Sequence, residues 1–201
     1  MAVPVLDKRS QERLEAGLAD GNRDEVWDGV LVMAPVANVE HQDFGGELLH
    51  IFRLVLGSRQ TGRVFPGVNV SDRDEGWLQN YRIPDVAVYL PGNPAKNCGA
   101  HWQGGPDLAV EIVSPQDRAR DKAAFYAAVG VRELLVLDRD PWALELYRPA
   151  EGGMAQVAVS TPDGAGPVRL EVLPLDLRLV LGAARPTLEV VHLADGRRWE
   201  I

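Results

Sequence analysis

The chain has 201 residues, one cysteine and a formal net charge of −8, with 46% apolar and 25% charged residues. This is the balance of an ordinary globular protein large enough to bury one substantial core, and a single domain over residues 1–201 is expected. A lone cysteine excludes an internal disulfide and any zinc site built from cysteines. The acidic excess argues against a broad electropositive surface, and the start of the chain together with the lack of a long apolar run points to a cytoplasmic protein with no membrane partner.

In chain order, Ser10 can cap a short helical run, Gln11 to Ala16, that Gly17 ends, and Asp20-Gly21-Asn22 reads as a turn. Glu25 to Met33 reads as two short strands around Asp28-Gly29. From His41 to Leu56 the apolar residues Phe44, Leu48, Ile51, Phe52 and Val55 recur at helical spacing, and Gly57 closes the helix. Residues 61–70 form a strand candidate interrupted at Pro66-Gly67, which suits a sheet edge.

The segment from Tyr81 to Asp138 reads as strand, loop, strand, helix, strand. Arg82 to Leu90 and Pro106 to Ser114 are nearly continuous apolar runs of the kind covered on both faces, yet each holds one carboxylate, Asp85 and Glu111. A buried ionised carboxylate costs several kcal/mol unless it is compensated, and two on neighbouring strands suggest a shared divalent cation. The loop between the runs, residues 91–105, is long enough to act as a lid and contains Cys98, which receives no role. A helix over residues 117–129 presents Phe125, Tyr126 and Val129, with Arg118 and Arg120 as a solvated face by default. It leads to a buried strand at residues 132–138 parallel to the Glu111 strand, and Trp142 to Tyr147 adds an antiparallel one. Residues 150–201 form a β-rich extension ending in a hairpin around Asp195-Gly196, whose strand Thr187 to His192 is an edge for self-association.

The order and residues of residues 24–149 resemble the Uma-two family of the PD-(D/E)XK nuclease superfamily, a group labelled as restriction endonucleases. The resemblance rests on Asp24-Glu25-Val26-Trp27-Asp28-Gly29, His41-Gln42, Pro84-Asp85-Val86-Ala87, the run Pro106 to Pro115, Lys122 four residues before Tyr126, and Gly130 to Leu134. It implies an α/β (α+β) fold, a restriction-endonuclease-like mixed β-sheet flanked by helices, and a metal site at Asp85 and Glu111. The superfamily's usual lysine two residues after the second acid is Val113 here. The family instead places a lysine on the following helix, which corresponds to Lys122, although the link from Ser114 is shorter than in many relatives.

On this reading the protein is a DNA endonuclease, expected as a homodimer, and Mg2+ (or Mn2+) is held by Asp85, Glu111 and the Ile112 carbonyl as a hard cation prefers. Lys122 assists the attacking water with a lowered pKa, Glu25 is a further metal or water ligand by family position, and His41 contacts the phosphate or orients a ligand. Each residue has a plainer role open to it: a strand-entry carboxylate for Asp85, a surface pair with Asp117 or Asp121 for Lys122, a turn residue for Glu25, a helix-start polar group for His41. A catalytically inactive module that binds nucleic acid or protein, or a hydrolase of another phosphate ester, uses the same fold.

Overall fold

A computed structural model describes residues 8–10, 12–14, 23–58, 60–115, 117–164 and 166–201. In chain order, α1 comprises the helical residues 8–10 and 12–14, followed by β1 (Glu25–Trp27), β2 (Val30–Val32), α2 (Val39–Leu56), β3 (Arg63–Pro66), β4 (Val70–Ser71), β5 (Tyr81–Arg82) and β6 (Val86–Tyr89). Next come β7 (Lys96–Asn97), β8 (Trp102–Gln103), β9 (Leu108–Ile112), α3 (Ala123–Ala128), β10 (Glu133–Arg139), β11 (Trp142–Ala150) and β12 (Gly153–Ser160). The chain ends with β13 (Val168–Arg169), β14 (Leu175–Val180), β15 (Thr187–His192) and β16 (Arg198–Glu200). Three sheets result, ordered β2-β1-β5-β4-β8-β7, β12-β11-β10-β9-β6-β3 and β13-β14-β15-β16. This is a mixed α+β architecture with few helices and a β-rich C-terminal region. No described helix is long and apolar enough to cross a membrane.

The second sheet is covered on both faces, which is why its central strands read as continuous apolar runs. Side chains alternate along β9: Leu108, Val110 and Ile112 join Phe44, Leu48, Ile51 and Phe52 of α2 in one cluster, while Ala109 and Val113 meet Phe125 and Tyr126 of α3 in another. Glu111 shares the α3 face by the same alternation. β9 pairs parallel to β10 and antiparallel to β6, as the helix between β9 and β10 implies. The α2 stripe holds, but the helix starts two residues before His41, because the Asn38 side chain caps it by accepting the His41 amide.

Several boundaries differ from the sequence reading for local reasons. Lys8 and Arg9 are already helical, so Ser10 lies inside α1 rather than at its cap, while the run's end at Gly17 and the Asp20-Gly21-Asn22 turn lie outside the described residues. Pro84, which has no N–H to donate, splits the run from Arg82 to Leu90, giving β5 to the first sheet and β6 to the second. Asp85 therefore sits at the entry to β6 and not within a strand. Pro66-Gly67 divides residues 61–70 in the same way, leaving β3 as an edge strand as expected. The long loop holds its own hairpin, β7–β8, anchored by parallel pairing of β8 with β4. Residues 117–118 are not helical, and a 3-10 turn over Ala119–Lys122 precedes the short α3. The turns at Asp28-Gly29, with φ of 49° and 82°, and between β15 and β16 form as read. However, β15 lies between β14 and β16, so Thr187 to His192 offers no free edge.

The C-terminal sheet shares the α2-side core: Leu175, Leu177, Leu188, Val190 and Ile201 are in one cluster with Leu135, Leu137 and Leu144. A polar anchor accompanies them. Glu133, 1% exposed, accepts Arg148 Nη2 at 2.8 Å and the backbone amides of Glu171 and Val172 at 3.0 and 2.9 Å. Truncation to Glu133→Ala leaves a guanidinium and two amides without their acceptor. It is expected to lower stability by about 2–4 kcal/mol, read from the urea unfolding midpoint.

Candidate active site

The first and second sheets meet at a cleft lined by Arg23, Glu25, Trp27, His41, Ile83, Asp85, Glu111, Ser114, Asp117, Arg118 and Lys122. All the side chains proposed from sequence converge there, although they come from β1, the start of α2, the entry to β6, β9 and the 3-10 turn. The cleft encloses about 100 Å³, room for an ion with several waters.

Lys122 is the hub. Its Nζ lies 2.8 Å from Glu111 Oε2 and 2.8 Å from Glu25 Oε1. The short link from Ser114 thus does not prevent Lys122 from reaching Glu111, because the 3-10 turn points the side chain across the α3 face of β9. Glu25 is also fixed from two sides: the Ile83 amide donates to Oε1 at 2.8 Å and Trp27 Nε1 to Oε2 at 2.7 Å. On the far side of Glu111, the buried Tyr126 hydroxyl donates to Oε1. The sequence placed Tyr126 in the core with its hydroxyl bonded nearby, and that bond is to the site itself.

Asp85 has its own partners. Its Oδ1 accepts Arg23 Nη1 at 2.8 Å, and its Oδ2 accepts the Ile112 amide at 2.8 Å, with His41 Nε2 3.2 Å away. Ile112 therefore contacts Asp85 through its N–H, whereas the sequence reading used its carbonyl. The remaining nitrogen of His41, Nδ1, is buried with no hydrogen-bond partner among the described residues.

These contacts set the proton affinities. Burial pushes the Asp85 carboxyl up, but His41, the Ile112 amide and Lys122 outweigh it and hold the group below the usual carboxylate range. Burial also raises Glu111, to about 8, with the negative charges of Asp85 and Glu25 adding to the rise and Lys122 opposing it. For Lys122 burial acts downward, yet the flanking Glu111 and Glu25 carboxylates win and raise it. That direction is opposite to the lowered lysine expected from the sequence, which counted burial and a cation but not two acids at contact distance. Burial and the same two acids raise the Tyr126 hydroxyl well above its ordinary value, so it remains a donor.

Sequence reasoning missed the outer layer. Arg23 had no pattern to mark it. Arg118, read as a solvated residue or, if the site opened beside it, a phosphate clamp, lines the cleft and stacks its guanidinium 4.5 Å from the Trp27 ring centroid. The buried Arg82 stacks on the other contacts, 4.4 Å from the centroids of both Trp27 and Phe125. Arg82 stood in the sequence as one cation in a strand, and its aromatic partners Trp27 and Phe125 are remote in the chain, so no local signal marked it. Arg120 turns away, pairing with Asp138 and Glu145.

Residues 11–182 match the sequence profile of Uma2, a family described as "Putative restriction endonuclease". The match runs beyond the residues 24–149 that carried the resemblance and takes in β13 and β14. Among solved structures, a "putative nuclease belonging to DUF820" from Anabaena variabilis shares the fold, with TM-score 0.56 and 20% identity over 72% of this chain and 80% of that one. No curated protein sequence matches.

Replacing Tyr126 by Phe removes one donor from Glu111 while keeping the ring in its buried seat. A loss of about 1–2 kcal/mol is expected in denaturant unfolding, with the far-ultraviolet circular dichroism unchanged.

Proposed function

Since the chain belongs to the Uma2 family, we propose that it is a single-domain, divalent-metal-dependent DNA endonuclease that works at the Asp85–Glu111–Lys122 cleft. The observation that carries this reading is a shortage of positive charge. Three carboxyl groups, Asp85, Glu111 and Glu25, face two permanent cations, Lys122 and Arg23, and burial together with that unbalanced negative charge raises Glu111 to about 8. A divalent cation beside Asp85 and Glu111, with the Ile112 carbonyl as a further donor, suits that deficit and the hard oxygen donors. Magnesium in this position supplies Lewis-acid neutralisation of a phosphate.

The chain's own groups supply the rest. Phosphodiester hydrolysis adds a water oxygen to phosphorus, breaks one P–O bond and returns a proton to the departing oxygen. Lys122, an ammonium held by two acids, orients the water and stabilises negative charge building on the phosphate, rather than acting as the base. Tyr126 and Glu25 fix the acids that fix Lys122. His41 holds Asp85 in place. Arg23 and Arg118 provide the local basic patch that an acidic protein needs to hold a nucleic-acid backbone, and the Trp27 ring beneath Arg118 gives that guanidinium a fixed plane. Because β15 is interior, a homodimer would use another edge, such as β12, where Val157 and Val159 are exposed.

Purified full-length chain is expected to cut plasmid DNA with magnesium or manganese. Asp85→Asn and Glu111→Gln should abolish cutting, and Lys122→Met, measured on the protein that remains folded, should slow it by about 10²–10³-fold. Wild-type chain that binds DNA with either metal present but never cuts it would mark the inactive binding module instead.

The pH dependence of metal binding is a second check. Below its pKa Glu111 is a neutral acid, so a cation must displace its proton. Affinity for manganese should therefore rise with pH up to about 8 and level off above it, as followed by calorimetry between mildly acidic and mildly alkaline buffers. A flat profile would remove Glu111 from the ligand set.

A further inference from the structure

A second cluster lies on the first sheet, outside the cleft. Asp74, Cys98 and His101 each bring one potential ligand atom within 4.8 Å of the other two. Cys98 and His101 have C-x2-H spacing on the tight turn joining β7 to β8, closed by the Cys98 amide donating to the His101 carbonyl at 2.9 Å. Asn69 Nδ2 holds the middle of the turn by donating to the Ala100 carbonyl at 3.0 Å. Asp74 approaches from the segment between β4 and the 3-10 turn Trp77–Gln79.

His101 points to a ligand. It is 3% exposed and stacks on Trp77 with ring centroids 4.7 Å apart, yet both Nδ1 and Nε2 are buried with no hydrogen-bond partner among the described residues. Nε2 and Asp74 Oδ1 are 3.6 Å apart, longer than a hydrogen bond. Leaving buried nitrogens unsatisfied costs about 1–3 kcal/mol each, which a packing role for the ring does not explain.

We propose that Asp74, Cys98 and His101 form a zinc site, separate from the nuclease cleft, that clips the β7–β8 hairpin to the segment carrying Trp77. A thiolate, an imidazole and a carboxylate select zinc over magnesium or calcium, which take oxygen donors. Around tetrahedral zinc, bonds of about 2.0–2.3 Å place donor atoms about 3.3–3.7 Å apart, so the three must close by roughly 1 Å. The donors on either side of His101 can make that movement: the Asp74 side chain is 67% exposed and Cys98 is half-buried on the hairpin turn. Three protein ligands leave the fourth position open to water. The sequence expectation excluded only zinc sites built from cysteines, and a mixed donor set with one cysteine lies outside it. The clip bears on the first sheet because Trp77 packs edge-on against Tyr81, whose hydroxyl donates to the Asp24 carbonyl beside Glu25.

Cobalt titration of the full-length protein tests the site without any activity measurement. Cobalt at the cluster gives a near-ultraviolet sulfur-to-metal band that equimolar zinc removes, and the band should persist in Asp85→Asn because cobalt on carboxylates of the cleft has no sulfur ligand. Cys98→Ser should lose the band, and His101→Gln and Asp74→Asn should each weaken cobalt binding by at least about tenfold. Asp74 is exposed, so its variant remains decisive if His101→Gln does not fold. A folded wild-type chain without the sulfur band, or Asp74→Asn with unchanged cobalt affinity, overturns the proposal. Neither result depends on whether the cleft cuts DNA.

Discussion

The contact on which the rest of the structure turns is the ammonium of Lys122, held between Glu111 of the second sheet and Glu25 of the first. Without it, Glu25 of one sheet and Glu111 of the other would face each other across the cleft with no cation between them, since Arg23 is engaged by Asp85. A buried ion pair adds little net stability, since desolvation of the charges takes back most of the Coulombic gain. Removing one partner, however, strands a buried charge at a cost of about 3–5 kcal/mol. Such a contact therefore specifies one arrangement of the two sheets more than it strengthens either. It also fixes the local backbone: a 3-10 turn delivers Lys122 to β9 within the short span after Ser114, and the helix that follows needs only to be long enough to bury Phe125 and Tyr126.

The same reasoning separates what was legible in the sequence from what was not. Two carboxylates in apolar runs demanded compensation, and that inference led to the cleft that both of them line. Lys122, eleven residues after Glu111, was named through the family resemblance, whereas Arg23 stands 62 residues before Asp85 with no pattern to mark it. Elements with a strong local signal formed nearly as read: the α2 stripe, the Asp28-Gly29 turn, and the parallel pairing of β9 with β10 across a helix. Failures fell where a tertiary choice overrode a local run. Pro84 gave one apolar stretch to two sheets, β16 covered the edge that β15 was expected to expose, and the apparent lid paired its own hairpin with β4.

Arg23 and Arg118 at the cleft lining are the local cations through which an acidic chain would meet the polyanion proposed above. Potential at a cleft is set by nearby groups, since at physiological salt the field of an exposed charge is largely screened beyond about 8 Å. Arg23 and Arg118 lie at the lining itself, each with a carboxylate partner, Asp85 and Asp121, whereas Arg120 pairs with Asp138 and Glu145 away from the cleft. Stacking of Arg118 on Trp27 holds that charge in place without consuming it in an ion pair within the cleft, although Asp121 lies 2.7 Å from its Nε at the exposed edge.

Val113 explains why the lysine can come from elsewhere. By strand alternation, residue 113 projects to the same side of β9 as Glu111, so a lysine there would reach the site directly. In this chain the position is apolar, and Val113 packs against the cluster of Ala119, Phe125 and Tyr126. Those residues belong to the 3-10 turn and α3, which carry Lys122 and the Tyr126 hydroxyl. Valine thus gives the turn an apolar seat, and the turn returns a lysine to Glu111 from outside the sheet. The charge that the strand position lacks is restored at the same carboxylate by a side chain rooted on a different backbone. Packing of Val113 on the α3 face thus joins the core to the turn that carries Lys122.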